Sequence, residues 1–186
     1  DLVDGTVSST ITVSVDDANS DDDFDGVADQ TVSVSTTDDD VAGFTVAETE
    51  GSTTVTEAGS TDTITVVLNA QPTSDVVIAI SSNDTGETAV NGSTVNNNSL
   101  TFTSANWDTA QSFTVTGVDD DLVDGTVEST LTISVVDALS DNGFDGVADQ
   151  TVTASTTDDD VAGFTIVELE GSTEVDESGD TDTFTV

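Results

Sequence analysis

Not one lysine, arginine or histidine answers the 39 aspartates and glutamates of this 186-residue chain. Whatever it folds into must settle its carboxylates on water, on N–H and hydroxyl donors or on cations from outside, because no two side chains can form an ion pair with each other. The acids are also unevenly spread. They fall in tight clusters that return after 120 residues.

Residues 1–66 realign on residues 121–186 without a gap, with 49 of the 66 positions identical. The chain reads as a window on a tandem array: the C-terminal part of a preceding repeat at 1–40, one complete repeat at 41–160, and the N-terminal part of a following repeat at 161–186. A unit of 120 residues can bury its own core, which makes these units beads and not thin solenoid turns. Near-identical copies point to a function carried by repetition, through length or valency.

Thirty aspartates stand against nine glutamates, with abundant Thr, Ser, Val and Gly and a single proline. That mixture is rich in strand and turn formers and poor in good helix formers, so an all-β fold is expected. High net charge is also a signature of disorder, but here the apolar residues are patterned as a core requires. Without cysteine there is no disulfide and no thiolate metal site. No apolar run approaches a membrane helix and no signal peptide is visible, which in a window of this kind says nothing of the intact protein.

Alternation marks the strands of the complete unit: Phe44 and Val46; Val55; Ile64, Val66 and Leu68; Val76, Ile78 and Ile80; Leu100 and Phe102; Phe113 and Val115; Val127, Leu131, Ile133 and Val135; Val152 and Ala154. Residues 82–92 are expected to form a loop. About seven strands with short polar connections predict a two-sheet sandwich with Greek-key wiring, repeated end to end. Trp107 lies between two strands and is expected to plug one end of the core.

The acidic clusters sit where these strands end. VDDDLVDG carries Asp119, Asp120, Asp121 and Asp124, STTDDD carries Asp158, Asp159 and Asp160, and Glu57 precedes a turn. The repeat carries the same pattern to Asp4, Asp38, Asp39 and Asp40. The long loop SDNGFDGVAD adds Asp141, Asp145 and Asp149, and its first copy keeps Asp21, Asp25 and Asp29 while adding Asp22 and Asp23. Successive residues of a strand face opposite ways, so an aspartate triplet is best read as a loop curled round a hard cation. Calcium, with six to eight oxygen ligands, suits such loops better than magnesium, and zinc is disfavoured without histidine or cysteine. Two plainer readings compete: a solvated charged face, and an acidic composition suited to high salt.

At VTEAGSTDTITVVL, SLTFTSANWDTAQSFTVTGVDDD and TTDDDVAGFTV the complete unit resembles the Calx-beta family of sodium-calcium exchangers and large bacterial surface proteins. The resemblance implies an Ig-like seven-strand sandwich with a calcium cluster at one pole. Glu57, Asp119, Asp120, Asp124, Asp158, Asp159 and Asp160 match its acidic ligands, and Asp84 stands where a further one is found. Position 124 is Asp where the exchanger pattern has Glu, which alters reach and denticity. Near-identical tandem copies are similar to the extender regions of bacterial adhesins.

The leading expectation is a structural one, a calcium-rigidified extracellular stalk or fibre segment, bacterial surface-bound or secreted, whose partners are calcium ions, neighbouring repeats and like chains in a filament. An alternative is a binding module that grips a glycan or another cell through exposed loops such as residues 82–98. No enzyme is expected: with no His, Cys, Lys, Arg or Tyr, only carboxylates and unactivated hydroxyls remain for catalysis. Uncompensated negative charge argues against nucleic acid and against direct membrane insertion. Asn83, Asn91 and Asn97 open glycosylation sequons, read here as loop markers.

Overall fold

The computed structural model describes residues 1–92 and 98–186. Strands β1 (Val7–Val13) and β2 (Gln30–Thr36) pair antiparallel, Ile11 opposite Val32. Residues 41–160 then supply β3 (Phe44–Glu48), β4 (Thr53–Thr56), β5 (Thr61–Leu68), β6 (Val76–Ser82), β7 (Thr88–Gly92), β8 (Ser99–Phe102), β9 (Gln111–Gly117), β10 (Thr126–Val135) and β11 (Gln150–Thr157). Two short strands follow, β12 (Val167–Glu168) and β13 (Phe184–Thr185). Among the described residues no helix is long and apolar enough to cross a membrane.

The complete unit is a sandwich. One sheet runs β4-β11-β10-β6-β8 and the other β3-β5-β9-β7, all antiparallel except β4 beside β11. Alternating residues of each strand meet between the sheets: Ile64 and Val66, Val76 and Ile78, Leu100 and Phe102, Phe113 and Val115, Leu131 and Ile133 are all fully enclosed. Each such side chain contributes about 1.5–3 kcal/mol by leaving water. Trp107 packs half-buried against this core, and its carbonyl accepts the Leu68 N–H at 3.1 Å. The chain changes sheets between β3 and β4 at a tight turn, where Glu50 (φ 56°) and Gly51 (φ 83°) adopt left-handed backbone. Glu170 (φ 61°) and Gly171 (φ 83°) repeat that corner in the next copy.

Among the described residues nine strands form the unit, where alternation gave about seven. The main addition is β7, inside the stretch 82–92 read as a loop. Its inward positions are Thr88 and Val90, so only one aliphatic side chain marked it, and its position is set by pairing with β9. Asn91 belongs to this strand, Asn83 is exposed before it, and Asn97 lies outside the described residues.

The flanking copies differ from the complete one in burial. Ile11, Val13 and Phe24 are exposed, whereas their counterparts Leu131, Ile133 and Phe144 are fully buried. The β1–β2 pair thus has the inner face of a sandwich with no second sheet over it.

Gly117 ends β9 close against β4 of the other sheet. A Cβ there would lie 2.0 Å from the Thr56 carbonyl oxygen, a backbone atom with no freedom to step aside. Gly117→Ala is expected to cost about 1–3 kcal/mol by overpacking. Gly146→Ala, with nothing within 4 Å of the added Cβ, should stay within about 0.5 kcal/mol. Thermal unfolding of the two variants at one calcium concentration checks the contrast.

Candidate metal centre

Strand pairing gathers the acids. Because β4 and β11 run parallel with Thr56 beside Thr157, the next residues, Glu57 and Asp158, leave the sheet together at one pole. The Glu57 N–H donates to the Thr157 carbonyl at 3.1 Å. Strand β10 starts at this pole opposite Thr157, which brings the 118–125 connection over Asp158. There the Gly125 N–H donates to Asp158 Oδ2 at 2.8 Å, and the Asp158 N–H returns to the Gly125 carbonyl at 3.2 Å. The connection into β7 closes the other side, where the Val118 N–H donates to the Glu87 carbonyl at 2.9 Å.

Three carboxylate oxygens at this pole are buried without any hydrogen-bond donor: Glu57 Oε1, Glu87 Oε2 and Asp160 Oδ2. Glu57 is 1% exposed and Glu87 6%. Among the described residues the only donor to the Glu57 carboxylate is the Asp159 N–H, 3.4 Å from Oε2. Burial pushes the Glu57 carboxyl above its ordinary value, partly offset by that N–H and reinforced by the charges of Asp158, Asp120 and Asp124. Burial also raises Glu87, with Asp124, Asp120, Asp84 and Asp158 adding to it. Asp160 is raised by burial and then by Asp158, Asp121, Asp159 and Asp119. Asp158 goes the other way, since the Gly125 and Asp160 N–H groups hold it below the usual carboxylate range.

Glu57, Asp158 and Asp160 each offer an oxygen within 4.8 Å of the others. Buried, unpaired and mutually repelling carboxylates are costly in any fold, and here no basic side chain exists to neutralise them. An all-oxygen set with open lone pairs fits a hard divalent cation, and the number of carboxylates suits calcium's six to eight ligands. Glu57, Asp158 and Asp160 would hold such an ion from within, with Glu87 buried beside them and Asp119, Asp120, Asp121, Asp124 and Asp159 around them.

Of the residues expected from sequence, the pole collects Glu57, Asp119, Asp120, Asp121, Asp124, Asp158, Asp159 and Asp160, with exposed Asp84 at its edge beside Glu87. The first copy repeats part of it: Asp38, Asp39 and Asp40 form a second group within 4.8 Å. Asp38 Oδ2 accepts the N–H groups of Gly5 and Asp4 at 2.7 and 3.0 Å, and Oδ1 that of Asp40 at 2.9 Å. Asp4 thus meets this group through its backbone.

The long loop is built differently. Asp141 is buried at the opposite end, and its oxygens take the Thr73 hydroxyl at 2.5 Å and the N–H groups of Ser74 and Gly143 at 2.7 and 2.8 Å. Burial pushes its carboxyl up, but these hydrogen bonds outweigh that and hold it low. Asp145 and Asp149 are exposed and do not group with it. Asp21 caps the same turn in the first copy through the Asp23 N–H. In this loop Asp141 acts as a turn cap, and Asp145 and Asp149 stand apart from it.

Glu87 is the residue that sequence reasoning missed. It sits directly before β7, and its burial follows from the pairing of β7 with β9, which no local pattern marks.

Neither a family model nor a curated protein matches the chain. Among solved structures it is similar to the apo-form Calx CBD1 domain, at 18% identity and a TM-score of 0.43, over 65% of this chain and 100% of that one. It is also similar to the surface layer protein SbsC, domains 1–6, at 17% identity and a TM-score of 0.43, over 95% of this chain and 21% of that one. A third likeness is the calcium binding domain CBD12 of CALX1.1, at 19% identity and a TM-score of 0.41, over 62% of this chain and 45% of that one.

The raised carboxyls fix a pH dependence. Glu57, Glu87 and Asp160 bind protons more readily folded than unfolded, so without divalent ions stability should rise as pH falls through their folded values. Asp141 and Asp158 act oppositely, and their contribution is lost only at still lower pH. Calorimetry of metal-stripped protein should therefore show the melting temperature climbing as pH falls from neutral through the range of the raised carboxyls, and dropping only when Asp141 and Asp158 take up protons at lower pH still. Saturating calcium should abolish or reverse the climb.

Proposed function

We propose that this chain is a stretch of calcium-stiffened stalk or fibre, made of tandem sandwich units at a bacterial surface or in a secreted assembly, and that it has no catalytic role. Residues 1–40 and 161–186 are in this reading parts of the flanking units. The observation that carries it is the shared use of one segment. The connection that arches over the acidic pole, 119–125, has its first copy at 1–5, and that copy runs directly onto the complete unit: the Val3 N–H donates to the Gln71 carbonyl at 2.9 Å and Leu2 bridges Gln71 in parallel. A cation bound beneath the segment therefore restrains the stretch that meets the next unit.

The positions of the acids support the same reading. Asp38 of the first acidic triplet and Asp141 line one groove at this junction with Val3, Gly5 and Gly143. The Calx-beta-like sequence and the near-identity of the copies agree with a spacer in which each unit repeats one mechanical task.

Small-angle scattering of a chain with two complete units tests this. With calcium the units should lie end to end, each adding roughly 40–50 Å to the maximum dimension, from strands of up to about ten residues at ~3.3 Å each plus loops. Chelator should broaden the distance distribution while circular dichroism still reports folded strands. An unchanged maximum dimension with both units folded would show that calcium does not set the joint.

A further inference from the structure

The segment DLVDG occurs twice, at 1–5 and at 121–125, in two different surroundings. In the first copy Val3 is half-buried against the complete unit's core and Leu2 is 38% exposed. The strap is tied by Gln71, whose N–H donates to the Asp1 carbonyl at 2.5 Å and whose carbonyl accepts the Val3 N–H. Gly143 lies directly below, and a Cβ at that position would sit 3.1 Å from Val3 Cγ1. In the second copy Leu122 is 62% exposed and Val123 57%.

The shape of the strap does not depend on the docking. Gly5 and Gly125 both adopt positive φ, 69° and 83°, and donate their N–H to the triplet aspartate of their own unit, Asp38 or Asp158. In the second copy the Leu122 N–H is held by Asp120 Oδ1 at 2.6 Å. Each unit thus offers an apolar Leu-Val pair on a backbone pinned by its own acidic pole. The surface that receives the pair, a Gln71 turn and a Gly143 loop, lies in the later strands of a unit, beyond the counterparts of residues 41–66 that the third copy contains.

We infer that Leu122 and Val123 form a docking surface whose occupant is the following unit, through its counterparts of the Gln71 turn and the Gly143 loop. The joint is then directional: every unit carries the latch at its acidic pole and the receiver at the opposite end. The inference rests on the tandem-array half of the proposed function and not on its calcium half. A lateral contact with a second chain is the competing occupant.

The twin segments supply their own control. In the 186-residue chain, at saturating calcium, Leu2→Ala with Val3→Ala should lower the melting temperature by about 2–4 °C, while Leu122→Ala with Val123→Ala should leave it unchanged. Appending a second copy of residues 67–160 after Val186 completes the following unit, and there the 122/123 pair should become as costly as the 2/3 pair. A 122/123 pair that is silent in the extended chain overturns the inference. So does a 122/123 pair that is already costly in the 186-residue chain, or one that converts a dimer of that chain to monomer in sedimentation. Repeating the melts in chelator separates this result from the calcium reading, since the contrast between the pairs needs no ion to be measured.

Discussion

Carboxylates buried without a donor are the constraint on which this structure turns. A buried acid ordinarily finds a basic side chain or several backbone N–H groups, and this chain solves the problem the second way at Asp38, Asp141 and Asp158. At Glu57, Glu87 and Asp160 it does not, and each keeps an oxygen with no partner. These three sit beside the satisfied Asp158 in one pole, so a hydrogen-bonded carboxylate fixes the loops while unsatisfied ones point between them. Such an arrangement is costly without a counter-charge, and in the proposed reading a cation relieves it and ion binding becomes part of folding.

The sandwich places that cost where it has mechanical consequences. Parallel pairing of β4 with β11 sets Glu57 next to Asp158, and the return of the chain into β10 stretches the 119–125 connection over both. Its other copy lies against the next unit. In the proposed reading, ligand loop and linker are one stretch of backbone, and the joint needs no separate rigid element. Gly117, having no Cβ, leaves room for the Thr56 carbonyl just before Glu57 and lets the two sheets approach beneath the pole.

Much of this was legible in the sequence, for physical reasons. Period-two alternation in β5, β6, β9 and β10 marks residues whose burial dominates the fold, and aspartate triplets that follow such strands must cluster where strands end. The acids of the pole could be gathered from that alone. Glu87 could not, because its burial depends on β7 pairing with β9, a contact between residues some 25 positions apart whose strand carries one inward aliphatic. Asp141 misled for the opposite reason. An aspartate before Asn-Gly in a long acidic loop looks like a cation loop, yet its oxygens are taken by Thr73, Ser74 and Gly143, and only the fold brings the Thr73 turn to it.

The central claim is that the pole requires a divalent ion and not merely screening. The most direct measurement is the melting temperature of this chain as calcium is raised through about 10⁻⁴ to 10⁻² M with ionic strength held constant by sodium chloride. Site binding predicts a rise that continues with the logarithm of calcium, worth about 2.7 kcal/mol at a hundredfold excess over the dissociation constant, and a much smaller rise in Glu57→Gln. An equal rise from sodium alone, or a Glu57→Gln variant that responds like the parent, would contradict it.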